Sequence, residues 1–300
     1  MKSINVFVDG GEGTTGLQIR SRLKELDWVV AVEINETLRK NPDARRACMK
    51  KSKVVFLCLP DEAAREAVAM SKGLNLVFID SSTAHRTDPE WAYGLPELSP
   101  EYRTRIQTSD RITVPGCHAS GFSALVYPLR QKGLIDADSR LFCTSLTGYS
   151  GGGRSLIAEY QSRTPPRGAL PYALDLKHKH MPEIMSVCQL EHPPIFQPTI
   201  TPVKNGMLLS VPLAVNAEVV HEALHEWYAR NPGQISVRPL NSTDALEKGR
   251  LNMEALNGSD KMELFVFGDE NQAIMFARLD NLGKGAAGAA MECLRLRLGM

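Results

Sequence analysis

The sequence predicts an α/β protein with two units, and three observations predict it. Short β-branched runs alternate with helical stretches over the first 80 residues, the pattern of βαβ units on a parallel, doubly wound sheet. A glycine-rich turn at 10–16 closes the first of those runs. Beyond residue 115 the alternation gives way to mixed helices and strands joined by hairpin-like turns, so an α+β unit is expected to follow.

The elements follow in order. Residues 4–9 (INVFVD) form a short apolar run bounded by glycine, a buried strand. Leu17, Ile19, Leu23 and Leu26 recur at helical spacing. Further buried strands are expected at 28–34, 53–59 and 76–80, with Pro60-Asp61 opening a helix at 62–72. Residues 81–110 read as loop-rich, and the strand at 111–114 breaks at Pro115-Gly116. Helices are expected at 119–132, 154–162, 182–191 and 219–230, among strands at 141–147, 199–203, 207–215, 235–240 and 262–278. Lys204-Asn205-Gly206 and Gly268-Asp269-Glu270-Asn271 read as hairpin turns. A last helix is expected at 284–298.

Composition narrows the function classes. The 35 Lys+Arg and 34 Asp+Glu of the 300 residues leave +1, no global reason to bind nucleic acid or a membrane surface. The hydrophobic fraction of 43% is enough for a sizeable core. The longest apolar runs fall far short of a bilayer span, and the start reads as neither signal nor transit peptide. The six cysteines include no CxxC pair, so no metal site is expected and the chain reads as cytoplasmic with reduced thiols.

Gly10, Gly13 and Gly16 stand directly after a strand and open a helix. Glycines there permit a tight turn and close approach of a pyrophosphate to the free N–H groups of the helix start, as in a Rossmann-type dinucleotide-binding unit. An ordinary strand-to-helix turn has the same composition. Glu33, at the end of the second strand, would hold a ribose hydroxyl and favour NAD; Arg39, Lys40, Arg45, Arg46, Lys50, Lys51 and Lys53 would receive a 2′-phosphate and favour NADP. The residues argue both ways.

Cys117 follows the Pro115-Gly116 turn near a helix start. Unpaired N–H groups and the positive helix end favour a thiolate, and the same groups can hold an oxyanion. A small buried residue would also suit the place. His118 is adjacent, but chain neighbours usually point apart. A base is better sought in Lys177-His178-Lys179-His180-Met181-Pro182-Glu183, where His178 and His180 project to one side of an extended segment. Ser150-Gly151-Gly152-Gly153-Arg154 is a second glycine turn, suited to an anion or simply flexible.

Taken in order, Gly13-Thr14-Thr15-Gly16, Ser81-Ser82-Thr83-Ala84-His85-Arg86, Tyr93-Gly94-Leu95-Pro96-Glu97-Leu98, Pro115-Gly116-Cys117, Ser150-Gly151-Gly152-Gly153-Arg154, His178-Lys179-His180-Met181-Pro182-Glu183-Ile184 and 280–288 (DNLGKGAAG) resemble the shorter form of the N-acetyl-γ-glutamyl-phosphate reductase family over essentially the whole chain. The longer form carries Asp-Phe where this chain has Ala84-His85. The resemblance implies NADPH as cofactor, bound by Gly10, Gly13, Thr14, Thr15 and Gly16 with Ser150, Gly151, Gly152 and Asn281. It implies Cys117 as nucleophile through a thioester and His180 as acid/base, and places Arg86, Arg154, His178 and Glu183 on the side of an acyl-phosphate substrate. It also implies a homo-oligomer, dimer or tetramer. The nucleotide domain would then be discontinuous, 1–115 plus 282–300, around a catalytic and oligomerisation domain at 116–281.

The nearest competing activity is that of aspartate-semialdehyde dehydrogenase, whose cysteine usually stands between asparagine and threonine rather than in Gly116-Cys117-His118. A non-catalytic NADP-binding redox sensor would need the glycine turn but not thiol, imidazole and arginine together.

Overall fold

The structure, a computed structural model, describes residues 3–164 and 167–300; Met1, Lys2, Pro165 and Pro166 lie outside them. In chain order it runs β1 (Ile4–Asp9), α1 (Thr14–Lys24), β2 (Val29–Val32), α2 (Pro42–Lys50), β3 (Val54–Leu57), α3 (Asp61–Met70), β4 (Val77–Asp80), β5 (Ala92–Tyr93), α4 (Pro100–Thr108) and β6 (Arg111–Thr113). Then come α5 (Cys117–Gln131), β7 (Phe142–Gly148), α6 (Gly153–Gln161), β8 (Leu170–Pro171), α7 (Met181–Cys188), β9 (Ile195–Thr201), β10 (Met207–Leu213) and α8 (Ala217–Arg230). After β11 (Ile235–Val237) and the small β12–β13 ladder (Leu246–Glu247, Arg250–Leu251) follow β14 (Met262–Gly268), β15 (Ala273–Leu279) and α9 (Gly288–Arg297). Two compact units result: 1–95, 101–115 and 286–300 in the first, 96–100 and 116–285 in the second.

The first unit holds a six-stranded sheet in the order β2-β1-β3-β4-β6-β5, with every pairing parallel. Every residue of β3 and β4 is buried, so these strands read as continuous apolar runs rather than alternating ones. Alternate side chains feed two cores. Val6, Val54, Phe56, Val77 and Ile79 pack with Ile19 and Leu23 of α1 and Ala289, Ala290 and Leu294 of α9. Phe7, Val55, Leu57 and Phe78 pack with Cys48 and Met49 of α2 and Ala64 and Ala67 of α3. Fully burying one such side chain as Phe56 contributes about 1.5–3 kcal/mol. The strand order reverses at β1, which puts the turn after β1 at the sheet's switch point.

The second unit holds a seven-stranded mixed sheet in the order β11-β14-β15-β10-β7-β9-β8. Helices α5 and α8 pack on it. Gly121 lets α5 approach: a Cβ there would stand 2.4 Å from Leu209 Cδ1 of β10. Phe142 and Leu146 of β7 and Ile195 of β9 remain exposed, with Phe142 directly opposite Ile195 in the ladder. The segment 96–100 is tied into this unit by Glu97. Its Oε1 accepts from Lys284 Nζ at 2.6 Å and from the Gln234 amide at 2.8 Å, and both charged side chains are fully buried.

The structure corrects several expectations. Gly268–Asn271 does form a hairpin, between β14 and β15, but Lys204-Asn205-Gly206 does not. Strand β7 lies between β9 and β10, and the turn instead offers its carbonyls to the end of β7. Gly148 N donates to Gly206 O, Tyr149 N to Val203 O and Ser150 N to Lys204 O. Residues 81–110 are not simply loop: they include β5 and α4, whose buried face is the single Ile106, too little apolar periodicity to register. Helix α5 begins at Cys117 rather than 119. The expected last helix opens as a π-turn, 283–287, before α9.

Candidate active site

Each unit carries one candidate site. In the first, Gly10 adopts φ +82°, and a Cβ there would lie 2.3 Å from Cys58 O. A Cβ on Gly16 would lie 2.6 Å from Gly10 O. Both glycines are therefore required by the turn itself. Gly13 differs: its nearest neighbour would be 3.6 Å away, within ordinary contact. Gly13 is the N-cap of α1, makes no side-chain cap hydrogen bond, and is followed by a first turn with no acidic residue. Thr14 Oγ1 is buried with no hydrogen-bond partner among the described residues. Bare amides, an orphaned hydroxyl and the positive end of a helix fit a phosphate group, so the residues present fit a dinucleotide. Thr15 lies in the same first turn.

The basic cluster divides. Arg45 is buried and grips Asp9 of β1 with two nitrogens, Nη2 to Oδ2 at 2.7 Å and Nε to Oδ2 at 3.0 Å. Arg46 donates to Met70 O and Lys72 O. These two arginines serve the fold. Arg39 and Lys40 remain exposed just beyond β2. Glu33 is held by Arg20 at 2.9 Å, and Arg20 also reaches Glu12 of the glycine turn at 2.8 Å. Arg86 lies in this unit too; its Nε donates to Val114 O at 3.0 Å and its Nη2 to Ser81 O at 3.1 Å.

In the second unit Cys117 is the first residue of α5, after the N-cap Gly116. Gly285 backs it: a Cβ there would stand 2.8 Å from Cys117 Cβ. Glu183 is buried and its Oε1 accepts from Gly116 N at 2.9 Å. That carboxylate fixes the entry to α5 and opposes part of the positive helix end that Cys117 sees. His178 and His180 are buried while Lys179 between them is exposed; their rings are 4.7 Å apart. His180 is the N-cap of α7, with Pro182 in its first turn.

His118 joins them, 5.2 Å from the His178 ring and 5.5 Å from that of His180. Because the helix starts at Cys117, neighbours diverge by a helical 100° rather than by the 180° of an extended chain. Sequence reasoning missed it for that reason. It also missed Tyr172, whose Oη lies 2.9 Å from His118 Nε2 and 3.4 Å from His178 Nε2, and Ser145 of β7, 2.8 Å from His118 Nδ1. Only the inward-facing place of Ser145 on its strand was a usable signal. Burial, with the nearby His178 and Lys179, lowers the His118 pKa to about 3. Burial and the neighbouring Cys117 raise that of Tyr172. Burial also lifts the thiol of Cys188 to about 12 and that of Cys143 higher, so both stay protonated.

Ser150 and Asn281 are buried and engaged with each other: Asn281 Nδ2 donates to Ser150 Oγ at 2.9 Å and its Oδ1 accepts from Gly206 N at 2.9 Å. They pin the second glycine turn, on which Gly151, Gly152 and Arg154 are exposed. A Cβ on Gly152 would meet Leu156 of α6. Among the described residues no group of three His, Cys, Asp or Glu is placed to hold a metal, and no helix is long and apolar enough to cross a membrane.

Residues 18–105 match the family model described as semialdehyde dehydrogenase, NAD binding domain, and 117–281 match semialdehyde dehydrogenase, dimerisation domain. Aspartate semialdehyde dehydrogenase II of Vibrio cholerae superposes with a TM-score of 0.74 over 99% of each chain, at 16% identity. The enzyme of Candida albicans, solved with NADP, gives 0.69 over 99% of this chain and 100% of its own, at 15% identity. Fold and family models thus define the semialdehyde dehydrogenase class, with a Rossmann-type nucleotide unit and a dimerisation unit. An N-acetyl-gamma-glutamyl-phosphate reductase of Brucella canis is 42% identical over a 308-residue alignment covering 98% of both chains, and one of Brucella suis is 43% identical over 310 residues with the same coverage. The chain belongs to the N-acetyl-γ-glutamyl-phosphate reductase family.

Proposed function

We propose that this protein reduces N-acetyl-γ-glutamyl phosphate to N-acetylglutamate 5-semialdehyde with NADPH, in the cytoplasmic synthesis of arginine. The observation that carries the reading is the thiol of Cys117 at the first turn of α5 within a unit whose buried imidazoles, His178 and His180, cluster beside α5 through His118. Kinship with the Brucella reductases supplies the substrate.

The unit of 1–95, 101–115 and 286–300 is the NADP-binding domain, and that of 96–100 and 116–285 the catalytic and oligomerisation domain. Gly10, Gly13, Thr14, Thr15 and Gly16 hold the pyrophosphate, and Arg39 and Lys40 receive the 2′-phosphate. Ser150, Gly151, Gly152 and Asn281 form the second cofactor-side turn. The Cys117 thiolate attacks the acyl carbon; the C–S bond forms, the C–O bond to phosphorus breaks and phosphate leaves. When bound, the dinucleotide supplies the hydride that reduces the resulting thioester carbonyl. The amides at the start of α5 stabilise the oxyanion. His180 holds the proton exchanged with that oxygen as the C–S bond breaks and the thiolate is restored. Arg86 and Arg154 are the cations assigned to the substrate's anionic groups; His178 and Glu183 serve the substrate through the groups they hold, His180 N with Tyr172 and Gly116 N. The exposed apolar strip of Phe142, Leu146 and Ile195 is where a second copy packs.

The test is phosphate-dependent reduction of NADP by N-acetylglutamate semialdehyde, followed at the NADPH absorbance. NADPH formation that requires phosphate is expected. No turnover, or faster turnover with aspartate semialdehyde, overturns the assignment.

A further inference from the structure

We propose that the row His178–Tyr172–His118–Ser145 is a tautomer lock: it holds two of the three clustered imidazoles neutral and leaves His180 as the one that gains and loses a proton. Tyr172, His118 and Ser145 are then positioning residues for the reaction. The inference rests on the reading of His180 as the acid/base group.

The direction of the row follows from one unambiguous donor. The backbone N–H of His180 points at His178 Nδ1, 3.2 Å away. A nitrogen that accepts a hydrogen bond carries no proton, so the proton of the neutral His178 ring sits on Nε2. That N–H donates to Tyr172 Oη. The phenol proton is then free to go only one way along the row, to His118 Nε2. His118 therefore carries its proton on Nδ1, which donates to Ser145 Oγ. Run in this direction every donor in the row has an acceptor, and the His180 amide sets its starting point.

The consequence is electrostatic. Three imidazoles with ring centres 4.7–5.5 Å apart repel one another if more than one is charged. Phe196 closes the cluster, 5.2 Å from both His118 and His178, and supplies no compensating charge. Among the described residues, the charged or titratable groups that face the row are Cys117 on α5, which acts on Tyr172, Lys179, which acts on His118, and the His180 ring; Glu183 on α7 is turned to the Gly116 amide. Both nitrogens of His118 are committed, and burial keeps it neutral far below neutral pH. Protonating His178 at Nδ1 displaces the backbone amide. His180 spends its backbone, not its ring, on the lock.

The test is long-range proton–nitrogen NMR of the full-length protein with labelled histidine, from about pH 5.5 to about pH 8.5, with resonances assigned by single His substitutions. His118 is expected as the Nδ1–H tautomer and His178 as the Nε2–H tautomer, both constant across the range. The opposite tautomer at either ring, or a titration midpoint inside the range, overturns the lock. Two variants separate positioning from packing. In His118→Gln the carboxamide accepts from Tyr172 and donates to Ser145, so the wild-type pH–rate profile is retained. In His118→Leu and Tyr172→Phe the row is cut: kcat falls roughly tenfold with KM little changed, and a second imidazole titrates in the acid limb. Equal losses in all three variants with an unmoved profile overturn the proposal. The NMR reading needs no substrate, so the lock and the assigned reaction fail separately.

Discussion

The starts of α1 and α5 are alike in their caps and unlike in what surrounds them. Both follow a glycine N-cap with no side-chain cap and no acidic residue in the first turn. At α1 a Cβ on Gly13 would meet nothing closer than 3.6 Å, and Thr14 Oγ1 has no partner among the described residues. At α5 the molecule fills the place itself. Glu183 takes the Gly116 amide, Gly285 presses against Cys117, and His118 of the same turn gathers two further imidazoles and a phenol. The bare end suits an anionic ligand and the end with its own thiol suits covalent chemistry, which is the division of labour proposed above. Glycine composition alone does not separate the two uses, but what each missing Cβ would have touched does.

Substitutions can break that contrast. The largest effect is expected at the thiol. Cys117→Ala and Cys117→Ser lower turnover of N-acetyl-γ-glutamyl phosphate by roughly a thousandfold or more, while thermal unfolding stays near wild type. Wild-type turnover in either variant removes the covalent route. His118 gives the α5 side a pH signature. Its pKa is near 3 when folded and near 6.5 when unfolded. The unfolded chain therefore binds a proton that the folded chain refuses. The stability is full above about pH 6.5 and drains by up to about 1.4 kcal/mol per pH unit as pH falls toward 3. Urea unfolding of wild type and His118→Gln across pH 4–7 is expected to show the steeper acid loss only in wild type; parallel curves would place the proton elsewhere.

On the α1 side, Gly16→Ala forces a Cβ to 2.6 Å from Gly10 O and is expected to cost about 1–3 kcal/mol in unfolding free energy. Gly13→Ala sharpens the comparison because its Cβ meets nothing closer than 3.6 Å. Stability should hold, with the φ −73° of the N-cap accepting alanine. NADPH affinity, read by fluorescence titration, should weaken by a few fold. If affinity is unchanged, the α1 end is not the cradle.

Much of the fold was legible because it obeys simple periods. The buried runs of β1, β3 and β4 and the Gly10–Gly16 turn announce a parallel sheet with a glycine turn after its first strand; that this turn falls at the switch point is visible only in the strand order. Helix α4 was not legible, since Ile106 alone faces the core. The turn at 204–206 misled because a hairpin sequence and a turn capping a third strand share the same residues. The candidate site was legible where chemistry is written in one segment, as with Cys117 and His178-Lys179-His180. Ser145 and Tyr172 gain meaning only through contacts 27 and 54 residues away in the chain. Arg45 shows the reverse error: inside a basic cluster it looked like a ligand group, and burial against Asp9 makes it part of the frame.

Helix α9 has a consequence for biosynthesis. It contributes Ala289, Ala290 and Leu294 to the same core as β1 and β3. The nucleotide unit begins first on the ribosome yet is completed only after the whole 116–285 unit has been made. Until then Val6, Phe56 and Ile79 lack one wall of their core, an opening for chaperones or proteases during synthesis. A nonsense mutation ahead of residue 286 would therefore cripple the unit encoded at the other end of the gene.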